Sequence, residues 1–292
     1  MDTKPKVIVV VGPTASGKSD FAVDLALSKS KGLAPYIDGE IISADSRQIY
    51  KCFDLGTGKI TKEEMKGVPH YMIDTAEVGD VFSVAEYKKL ATPILKDIFS
   101  RWKTPIICGG TGQYIDSLIF KQELPKVEPN IKLRNELEKK TTAELYKELK
   151  KKDSRRAENI DKNNRVRIIR ALEIIDSLGK VPEQPLPKLK YETKIYLLNP
   201  SREILRERIQ KRLIKRLEVG MLEEGEKISK LNLSDTQIKK LGLEYYSMNR
   251  YWKGEINIAE MMEEIITKSM QYAKRQQTWN KKYIQIAEIV EQ

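Results

Sequence analysis

The chain has 292 residues, of which 40% are hydrophobic, enough to build a packed core and to exclude global disorder. Basic residues outnumber acidic ones by 53 to 42, a net charge of +11. Residues 1–150 carry 23 basic and 21 acidic side chains, whereas residues 151–292 carry 30 and 21. The excess positive charge therefore lies in the C-terminal half and favours a polyanionic partner.

Neither a membrane span nor a secretory signal is indicated by the sequence. No run approaches the roughly 20 apolar residues that cross a bilayer. Lys4 and Lys6 precede only five apolar residues before Gly12, too few for a signal peptide. Cys52 and Cys108 lack metal-ligand spacing, so we expect two buried free thiols in a reducing cytoplasm.

Short apolar stretches alternate with helical patterns up to about residue 120. The predicted strands are Val7–Val11, Glu40–Ser43, His70–Ile73 and Pro105–Cys108, and the clearest helices between them are Ser19–Ser28 and Val84–Phe99. Strands that alternate with helices predict an α/β fold, with a parallel sheet covered by helices on both faces.

The pattern changes after Phe120. Residues 123–129 hold two prolines and predict a linker, residues 130–180 are charged and helical, and the proline-rich residues 181–190 predict a return linker. A strand follows at Lys194–Leu198, then mostly helices, with a last strand expected at Tyr283–Ile286. We therefore predict a core formed by residues 1–122 and 190–292, interrupted by an all-helical insertion domain at 123–189.

The first strand runs directly into the sequence GPTASGKS, which fits the P-loop pattern of strand, glycine turn, Lys-Ser and helix. Its residues are Gly12, Pro13, Thr14, Ala15, Ser16, Gly17, Lys18 and Ser19. The glycines let backbone N–H groups point at phosphate oxygens, Lys18 adds a positive charge, and the Ser19 hydroxyl suits Mg²⁺. The motif predicts binding of a diphosphate or triphosphate without specifying a nucleotide.

Two further segments follow predicted strands and meet the same edge of the sheet. Asp45, in ISADSRQIY, is either a general base or metal contact, or a helix cap or structural partner of Lys18. Thr111, in PIICGGTGQY, either meets the same phosphates or belongs to an ordinary tight turn whose glycines permit close approach. Position alone does not decide between these alternatives.

Taken together, these motifs resemble those of the tRNA dimethylallyltransferases, also called tRNA isopentenyltransferases or the IPP transferase family. GPTASGKS, ADSRQIY, GTGKI, GVPH, FSVAEY and GGTGQY occur in the family's order, and RIIRALE, RERIQKRL and YAKRQQTW extend the resemblance along nearly the whole chain. The resemblance implies a P-loop NTPase-like fold. It also implies transfer of a dimethylallyl group from dimethylallyl diphosphate to N6 of the adenosine 3′-adjacent to the anticodon in tRNA.

The resemblance also assigns roles around the diphosphate. Gly12–Ser19 would bind it, with Ser19 helping to hold Mg²⁺, while Asp45 would accept a hydrogen bond or proton from the attacking amine. Thr111 would contact the diphosphate near the breaking bond. Arg212 is the best match to the family's diphosphate-binding arginine, and Arg208 is the alternative.

The tRNA anticodon stem-loop would contact three regions of the chain. The resemblance implies contacts from Asp45, Ser46, Arg47, Gln48 and Thr111; from Arg134, Val166, Arg167, Ile168, Ile169 and Arg170 in the insertion; and from Lys240, Leu241, Gly242, Leu243, Glu244, Tyr245, Ala273, Lys274, Arg275, Gln276, Gln277, Thr278, Trp279 and Asn280. The basic stripe of Arg208, Arg212 and Arg216 agrees in kind, although any one such stripe also suits a solvated helix face.

Three departures from the family pattern bear on the tRNA contacts and the insertion hinge rather than on the diphosphate site. Tyr71 follows GVPH where a second histidine is usual, SLGKVPEQP lacks an expected serine, and Gly242-Leu243 replaces a Gly-Tyr pair. We expect a structural hydrogen bond, not a catalytic role, for His70, the single histidine.

Three other functions share part of this pattern. A P-loop kinase of small molecules has the same first motif, and a related enzyme prenylates free adenine nucleotides. An RNA-binding module with a vestigial P-loop is the non-enzymatic alternative. The basic C-terminal half argues against the adenine-nucleotide enzyme, and Lys18, Ser19, Asp45 and Thr111 together argue against the vestigial module. We expect a cytoplasmic monomer.

Overall fold

The structure is a computed structural model that describes residues 6–27, 38–78, 80, 82–121, 125–183, 188–231 and 233–290. Residue contacts divide the chain into two compact units. The core unit is formed by the segments up to Phe120 and from Leu189, and the inserted unit is Lys121–Lys188.

The core unit contains a six-stranded parallel sheet. Its strands are β1 (Lys6–Val11), β2 (Gly39–Ser43), β3 (His70–Tyr71), β4 (Thr104–Gly109), β5 (Glu192–Leu198) and β6 (Ala287–Val290), in the order β3-β2-β4-β1-β5-β6. Residues Val7–Val11 are all buried, because the central strand is covered on both faces and needs no polar alternation. The predicted parallel α/β architecture is confirmed.

Thirteen α-helices lie in the described residues. They are α1 (Lys18–Ala26), α2 (Lys62–Met65), α3 (Val84–Ser100), α4 (Gly112–Ile119), α5 (Ile131–Leu137), α6 (Thr142–Lys152), α7 (Ser154–Glu158), α8 (Arg165–Leu178), α9 (Arg202–Glu218), α10 (Met221–Ser229), α11 (Asp235–Leu241), α12 (Leu243–Trp252) and α13 (Ile258–Asn280). Local signals set their starts: at α3, Ser83 accepts from the backbone of Glu86 and Glu86 accepts from the backbone of Ser83.

The expected last strand at Tyr283–Ile286 is wrong. Lys281–Tyr283 forms a 3₁₀ turn, and β6 begins only at Ala287. The cause is a tertiary contact, because Lys282 and the buried Tyr283 both donate to the carboxylate of Asp116 on α4. The third strand is also shorter than predicted, since Met72 has a φ of 62°, which ends the extended backbone.

Other predicted boundaries differ at their ends. Helix α1 ends at Ala26, and the predicted terminal residue Ser28 lies outside the described residues. Parts of both predicted linkers, 123–124 and 184–187, also lie outside them. Cys108 is buried but Cys52 is exposed, so the prediction of two buried thiols is wrong for Cys52. No described helix is long and apolar enough to cross a membrane.

The inserted unit consists of α5–α8 around a small apolar core. The predicted stripe of Ile168, Leu172 and Ile175 is buried there, together with Leu145 and Leu149 of α6. This amphipathic pattern is therefore confirmed.

A buried carboxylate also organises the inserted unit. Glu173, 1% exposed, accepts two bonds of 2.8 Å from Arg134 and is paired with Arg170 as well. Two of the basic side chains in this unit are therefore engaged in its internal structure.

A second buried carboxylate joins elements near the start of β2. Glu40 is 2% exposed. It accepts bonds of 2.6 and 2.7 Å from Arg101 and one of 2.9 Å from Tyr71. The Arg101 guanidinium is the main cause that lowers the pKa of Glu40 to about 2. The departure at Tyr71 thus belongs to this network.

We expect Glu40→Gln to lower the free energy of unfolding at neutral pH by about 2 kcal/mol, because it weakens the charged hydrogen bonds from Arg101, which keeps Asp97 as a carboxylate partner. Since the folded-state pKa of Glu40 lies below the ordinary value of about 4.3, its stabilisation is present above pH 4.3 and is lost as pH falls towards 2. Chemical denaturation at several pH values measures this. Glu218→Gln, at an exposed glutamate of α9, is the control, and an equal acid sensitivity of wild type and Glu40→Gln would contradict the assignment.

Candidate active site

The turn between β1 and α1 has the backbone geometry of a phosphate-binding loop. Gly17 has a φ of 79° and Ala15 a φ of 60°, so two residues adopt the left-handed conformation. A Cβ at Gly12 would lie 2.5 Å from Ser16 Oγ and 2.8 Å from Leu198 O, so only glycine fits there. The first amides of α1 are thereby directed to the edge of the sheet, where they can bind an anion.

The ammonium group of Lys18 lies beneath this loop, near Asp45. Burial lowers the pKa of Lys18, while the negative charge of Asp45 opposes that effect. In this structure the ammonium donates to Pro13 O at 3.3 Å. Lys18, Ser19, Asp45 and Gln48 line one small cavity, so the positive charge, the hydroxyl and the carboxylate predicted from separate motifs are brought together.

Asp45 is held by its own loop rather than by a following helix. Its Oδ1 accepts from Arg47 N at 2.9 Å, and residues 46–49 form turns. The helix-cap alternative is therefore wrong. The carboxylate lines both the small cavity beside Lys18 and a larger cleft, where it can accept a hydrogen bond from a ligand.

The loops after β2 and β4 are locked to each other at Thr111. The Thr111 hydroxyl accepts from Ser46 N at 3.0 Å and donates to Ser46 Oγ at 3.2 Å. A Cβ at Gly109 would lie 2.2 Å from Ala44 O, so glycine is required for the close approach. Thr111 thus adjoins the Asp45 loop.

Helix α9 brings two arginines to the phosphate-binding loop. Arg212 Nη2 donates to Thr14 Oγ1 at 2.8 Å, and Arg208 Nη1 donates to Ser16 O at 3.4 Å. Burial lowers the pKa of Arg212, and Glu244 and Asp45 oppose this. Of the two candidates, Arg212 makes the shorter bond, and it lies on the side of the loop that faces the cleft.

Helix α13 closes the site from the other side through Gln276. The side-chain oxygen of Gln276 accepts from Thr14 N at 2.7 Å, and its amide donates to Gly110 O at 3.1 Å. One side chain therefore fixes the spacing between the phosphate-binding loop and the glycine-rich loop after β4.

A cleft of about 280 Å³ opens beside these loops. Asp45, Arg212, Glu244 and Tyr272 are among the residues that line it. Burial raises the pKa of Glu244, while Arg216, Arg212 and Arg47 oppose the shift. The cleft therefore combines carboxylates with guanidinium groups, an arrangement suited to a polar ligand that carries negative charge.

Other residues of the cleft are basic or aromatic. Lys239 and Lys268 lie over the ring of Tyr246, with Nζ atoms 4.2 and 4.6 Å from its centroid. Arg275 also lines the cleft and lies 5.7 Å from the ring centroid of Tyr272. Positive charge interleaved with aromatic rings suits single-stranded nucleic acid.

The residues expected to contact RNA divide into inward-facing and exposed side chains. Those buried in the structure are Ile168, Ile169, Leu241, Gly242, Tyr245, Ala273, Gln276 and Asn280. These side chains pack within their own unit in the free protein, and the predicted RNA contacts at these positions stay predictions. Val166, which is 76% exposed, and Arg167, Lys274, Arg275 and Thr278 are accessible.

The other described residues predicted to contact RNA have side chains of intermediate solvent exposure. Arg134 and Arg170 are bound to Glu173, and Gln48 donates to Gly58 O at 3.1 Å. Leu243 and Glu244 line the cleft. Gln277 donates to Asn199, and Lys282 lies over the ring of Trp279. The side chain of Lys240 lies outside the described part of the chain.

His70 is held as expected, with Nδ1 2.8 Å from Val68 O. Several residues of the site were missed from the sequence: Tyr272, Lys239, Tyr246 and Lys268. Tyr272 was detectable in principle, because it lies one helical turn before Gln276 and shares its face of α13.

The residues present are compatible with Mg²⁺ but do not form a metal cage. No group of three or more His, Cys, Asp or Glu side chains able to hold a metal occurs among the described residues. Ser19 and Asp45 nevertheless line the same cavity, and both carry hard oxygen donors. Mg²⁺ is commonly held by one or two such groups together with substrate phosphates, so the donor set fits.

The fold and this edge of the sheet define a class: a P-loop-type α/β protein whose phosphate-binding loop adjoins a carboxylate and a basic cleft. The family model described as IPP transferase matches residues 48–283. Two tRNA dimethylallyltransferases are similar along nearly the whole chain. That of Thermoanaerobacter sp. (strain X514) is 41% identical over 290 residues, which covers 95% of this chain and 89% of the relative. That of Anoxybacillus flavithermus is 39% identical over 279 residues, with 94% and 86% covered.

Solved structures of tRNA-modifying prenyltransferases are also similar to this chain. The tRNA isopentenylpyrophosphate transferase of Bacillus halodurans superposes with a TM-score of 0.71 at 34% identity, covering 98% of this chain and 90% of that one. A eukaryotic dimethylallyltransferase acting on tRNA gives a TM-score of 0.81 at 28% identity, with 94% and 70% covered. The chain belongs to the IPP transferase family, which confirms the family and the prenyltransferase class predicted from its motifs.

Proposed function

We propose that this chain transfers the dimethylallyl group of dimethylallyl diphosphate to N6 of the adenosine 3′-adjacent to the anticodon in tRNA, with release of diphosphate. The observation that supports this most directly is the convergence of Lys18, Asp45 and Arg212 on one edge of the sheet. A leaving diphosphate is stabilised by positive charge, which Lys18 and Arg212 supply. An entering amine needs a negatively charged acceptor for its proton, and Asp45 supplies it a short distance away.

The leaving group is held by the phosphate-binding loop. As the C1–O bond of the allylic diphosphate breaks, its electron pair stays on the diphosphate oxygen. Loop amides, Lys18 and Arg212 are placed to stabilise that charge, and the Thr111 hydroxyl contacts the oxygen near the breaking bond. Ser19 would hold Mg²⁺, which when bound neutralises part of the same negative charge.

The accepting amine is prepared by Asp45. The exocyclic N6 of adenine is a poor nucleophile, so a carboxylate that accepts its hydrogen bond orients the lone pair towards C1. The N6–C1 bond forms and the surplus N6 proton passes to Asp45. The Arg47 N–H bond to Oδ1 fixes the orientation of this carboxylate.

The adenosine reaches the site by leaving its stack in the anticodon loop, at a cost of a few kcal/mol. The cleft lined by Arg47, Tyr246 and Arg275 is proposed to receive the loop, and the exposed Val166 and Arg167 of the inserted unit to contact the anticodon arm. We place the reaction in the cytoplasm, and propose a monomer as the active form.

The test is to incubate the protein with dimethylallyl diphosphate, Mg²⁺ and an unmodified anticodon stem-loop, followed by mass analysis of the RNA. The expected product carries one added C5H8 unit at the adenosine beside the anticodon. ATP in place of the isoprenoid donor distinguishes a P-loop kinase, and free adenine nucleotide in place of RNA distinguishes a nucleotide prenyltransferase. Binding of RNA without any transfer would identify an RNA-binding module with a vestigial loop.

The affinity for RNA is expected to fall steeply with added salt. Lysines and arginines that contact phosphates release condensed counterions on binding, so the logarithm of the association constant decreases linearly with the logarithm of the salt concentration. Four phosphate contacts to single-stranded RNA correspond to a slope of about −3. Fluorescence anisotropy with a labelled stem-loop measures the slope, and a flat response would contradict the basic surface.

A further inference from the structure

One carboxylate outside the reacting groups binds three consecutive backbone amides. Glu224, on α10, accepts from Asp54 N at 2.9 Å and from Leu55 N at 3.1 Å through Oε2, and from Gly56 N at 2.9 Å through Oε1. Charge-assisted bonds of this kind are about twice as strong as neutral ones. The turn formed by residues 54–58 is therefore fixed to α10 by a single side chain. It is called the glycine turn below and is distinct from the phosphate-binding loop of residues 12–19.

The same carboxylate also fixes helix α12. Tyr245 donates its hydroxyl to Glu224 Oε1 at 2.6 Å. The Tyr245 ring lies against the glycine turn, since a Cβ at Gly56 would be 2.4 Å from Tyr245 Cζ, and it packs edge-on against Phe53 with centroids 5.3 Å apart. Glu224 thus binds both the glycine turn and helix α12, which are far apart in the sequence.

Both of these elements form walls of the cleft. Thr57 lines it from the glycine turn, and Glu244, the residue before Tyr245, lines it from α12. The opposite side of the turn holds two further groups: Gly58 O accepts from Gln48 at 3.1 Å, and a Cβ at Gly58 would lie 2.0 Å from Arg216 Nη2. A displacement of the turn would therefore move Gln48 and Arg216 together.

We propose that Glu224 is a positioning residue for the RNA acceptor: by clamping residues 54–56 and Tyr245, its carboxylate sets the spacing of the cleft walls and the orientation of Gln48. This inference rests on the proposed function for the identity of the acceptor. None of these bonds reaches Gly12–Ser19. The clamped elements line the cleft through Thr57 and Glu244, whereas Gln48 also lines the small cavity beside Lys18. The clamp is therefore expected to act mainly on the RNA side of the site, with a much smaller effect on the donor side.

The test compares the full-length wild type with Glu224→Gln, which keeps the side-chain size but removes the charge and one acceptor oxygen. Glu223→Gln is the matched control, because Glu223 is exposed on the same helix. Steady-state transfer to a stem-loop RNA is measured well below the melting temperature of each protein. We expect kcat/KM for RNA to fall about 100-fold in Glu224→Gln, the effect typical of a small misplacement of binding groups, with KM for dimethylallyl diphosphate changed by less than about twofold.

Hydrogen exchange of the amides of residues 54–56 gives a second measurement that needs no substrate. These amides are expected to be protected in the wild type and in Glu223→Gln and to exchange faster in Glu224→Gln. If Glu224 served only the stability of the fold, the variant would melt at a lower temperature with unchanged kcat and KM below that temperature, which would overturn the proposal. A rise in the KM for donor equal to that for RNA would also overturn it.

Two further outcomes are separated by this design. Should Glu224→Gln fail to fold, Glu224→Asp, which withdraws the carboxylate by one methylene, gives the same two measurements with the charge retained. A wild type that protects residues 54–56 yet never alkylates RNA would overturn the proposed function, whereas an active wild type with unprotected amides would overturn the clamp alone.

Discussion

Replacing Asp45 with asparagine is expected to lower the rate of prenyl transfer by about 1,000-fold or more, within the range for loss of a general base. The amide oxygen of asparagine can still accept from Arg47 N, as Oδ1 of Asp45 does at 2.9 Å, so the loop keeps its turn. What is lost is the negative charge that we propose orients N6 and takes its proton. The affinity for RNA, which depends on many phosphate contacts, is expected to change by less than about threefold.

Single-turnover transfer and anisotropy binding measure these two quantities separately. Asp97→Asn is the control, since Asp97 is an exposed carboxylate of α3 that pairs with Arg101. Asp45→Ala, which removes the acceptor for Arg47 N as well, should be no more active than Asp45→Asn. A fully active Asp45→Asn protein would remove the carboxylate from the chemistry and restore its alternative role as a structural partner of Lys18.

The parts of the site that follow strands were predictable from the sequence. Gly12–Ser19, Asp45 and Thr111 each come directly after an apolar strand, and the carboxyl ends of parallel strands share one edge of a sheet. The sequence could therefore predict that these residues meet. It could not predict which side chains bond to each other, such as Thr111 to Ser46. Those bonds depend on how the loops after β2 and β4 are positioned in three dimensions.

Residues brought in by helices were harder to predict. Glu224 lies in the sequence MLEEGEK beside two other glutamates, and no periodicity distinguishes the one whose partners are amides near residue 55. Gln276 and Gln277 are adjacent, yet only Gln276 lies on the face of α13 that bridges Thr14 and Gly110. In both cases the deciding information is tertiary.

The inserted unit shows two predictions in conflict. The helical stripe placed Ile168 in a core, whereas the family resemblance placed Ile168 and Ile169 in an RNA contact. Both side chains are buried in the structure, so the amphipathic pattern was right about Ile168, while Ile169 was not part of the predicted stripe. Because a helix exposes only part of its circumference, Val166 and Arg167 are the exposed side chains of the range 166–170, and we propose that the contact implied for this range is made mainly by these two.

Electrostatics explain why several cations can share one edge of the sheet. Burial lowers the pKa of Lys18, of Arg212 and of Arg216, that of Arg216 to about 9. Asp45 opposes the shift at Lys18 and Arg212, and Glu244 opposes it at both arginines. A bound diphosphate would add negative charge to this cluster. Its cations are therefore expected to interact more strongly with the donor than with Asp45 and Glu244.

Replacing Arg212 with alanine is expected to lower kcat by about 100- to 1,000-fold, the cost typical of removing one donor that stabilises charge in the transition state. Arg212 reaches Thr14 of the phosphate-binding loop at 2.8 Å and lines the cleft, so we propose that its guanidinium stabilises the charge that develops on the leaving oxygen. Arg212→Lys keeps the charge but not the two-pronged geometry, and should recover only part of the rate. Single-turnover kinetics at saturating donor measure the effect on chemistry.

Two variants on the same helix make this test specific. Arg206→Ala removes an exposed arginine paired with Glu263 and should transfer at the wild-type rate. Arg208→Ala removes the guanidinium that donates to Ser16 O at 3.4 Å, a longer bond than the one from Arg212 to Thr14, and should cost less than Arg212→Ala, about tenfold. A larger loss in Arg208→Ala than in Arg212→Ala would assign the diphosphate contact to Arg208, which lies on the same face of α9 and also reaches the phosphate-binding loop.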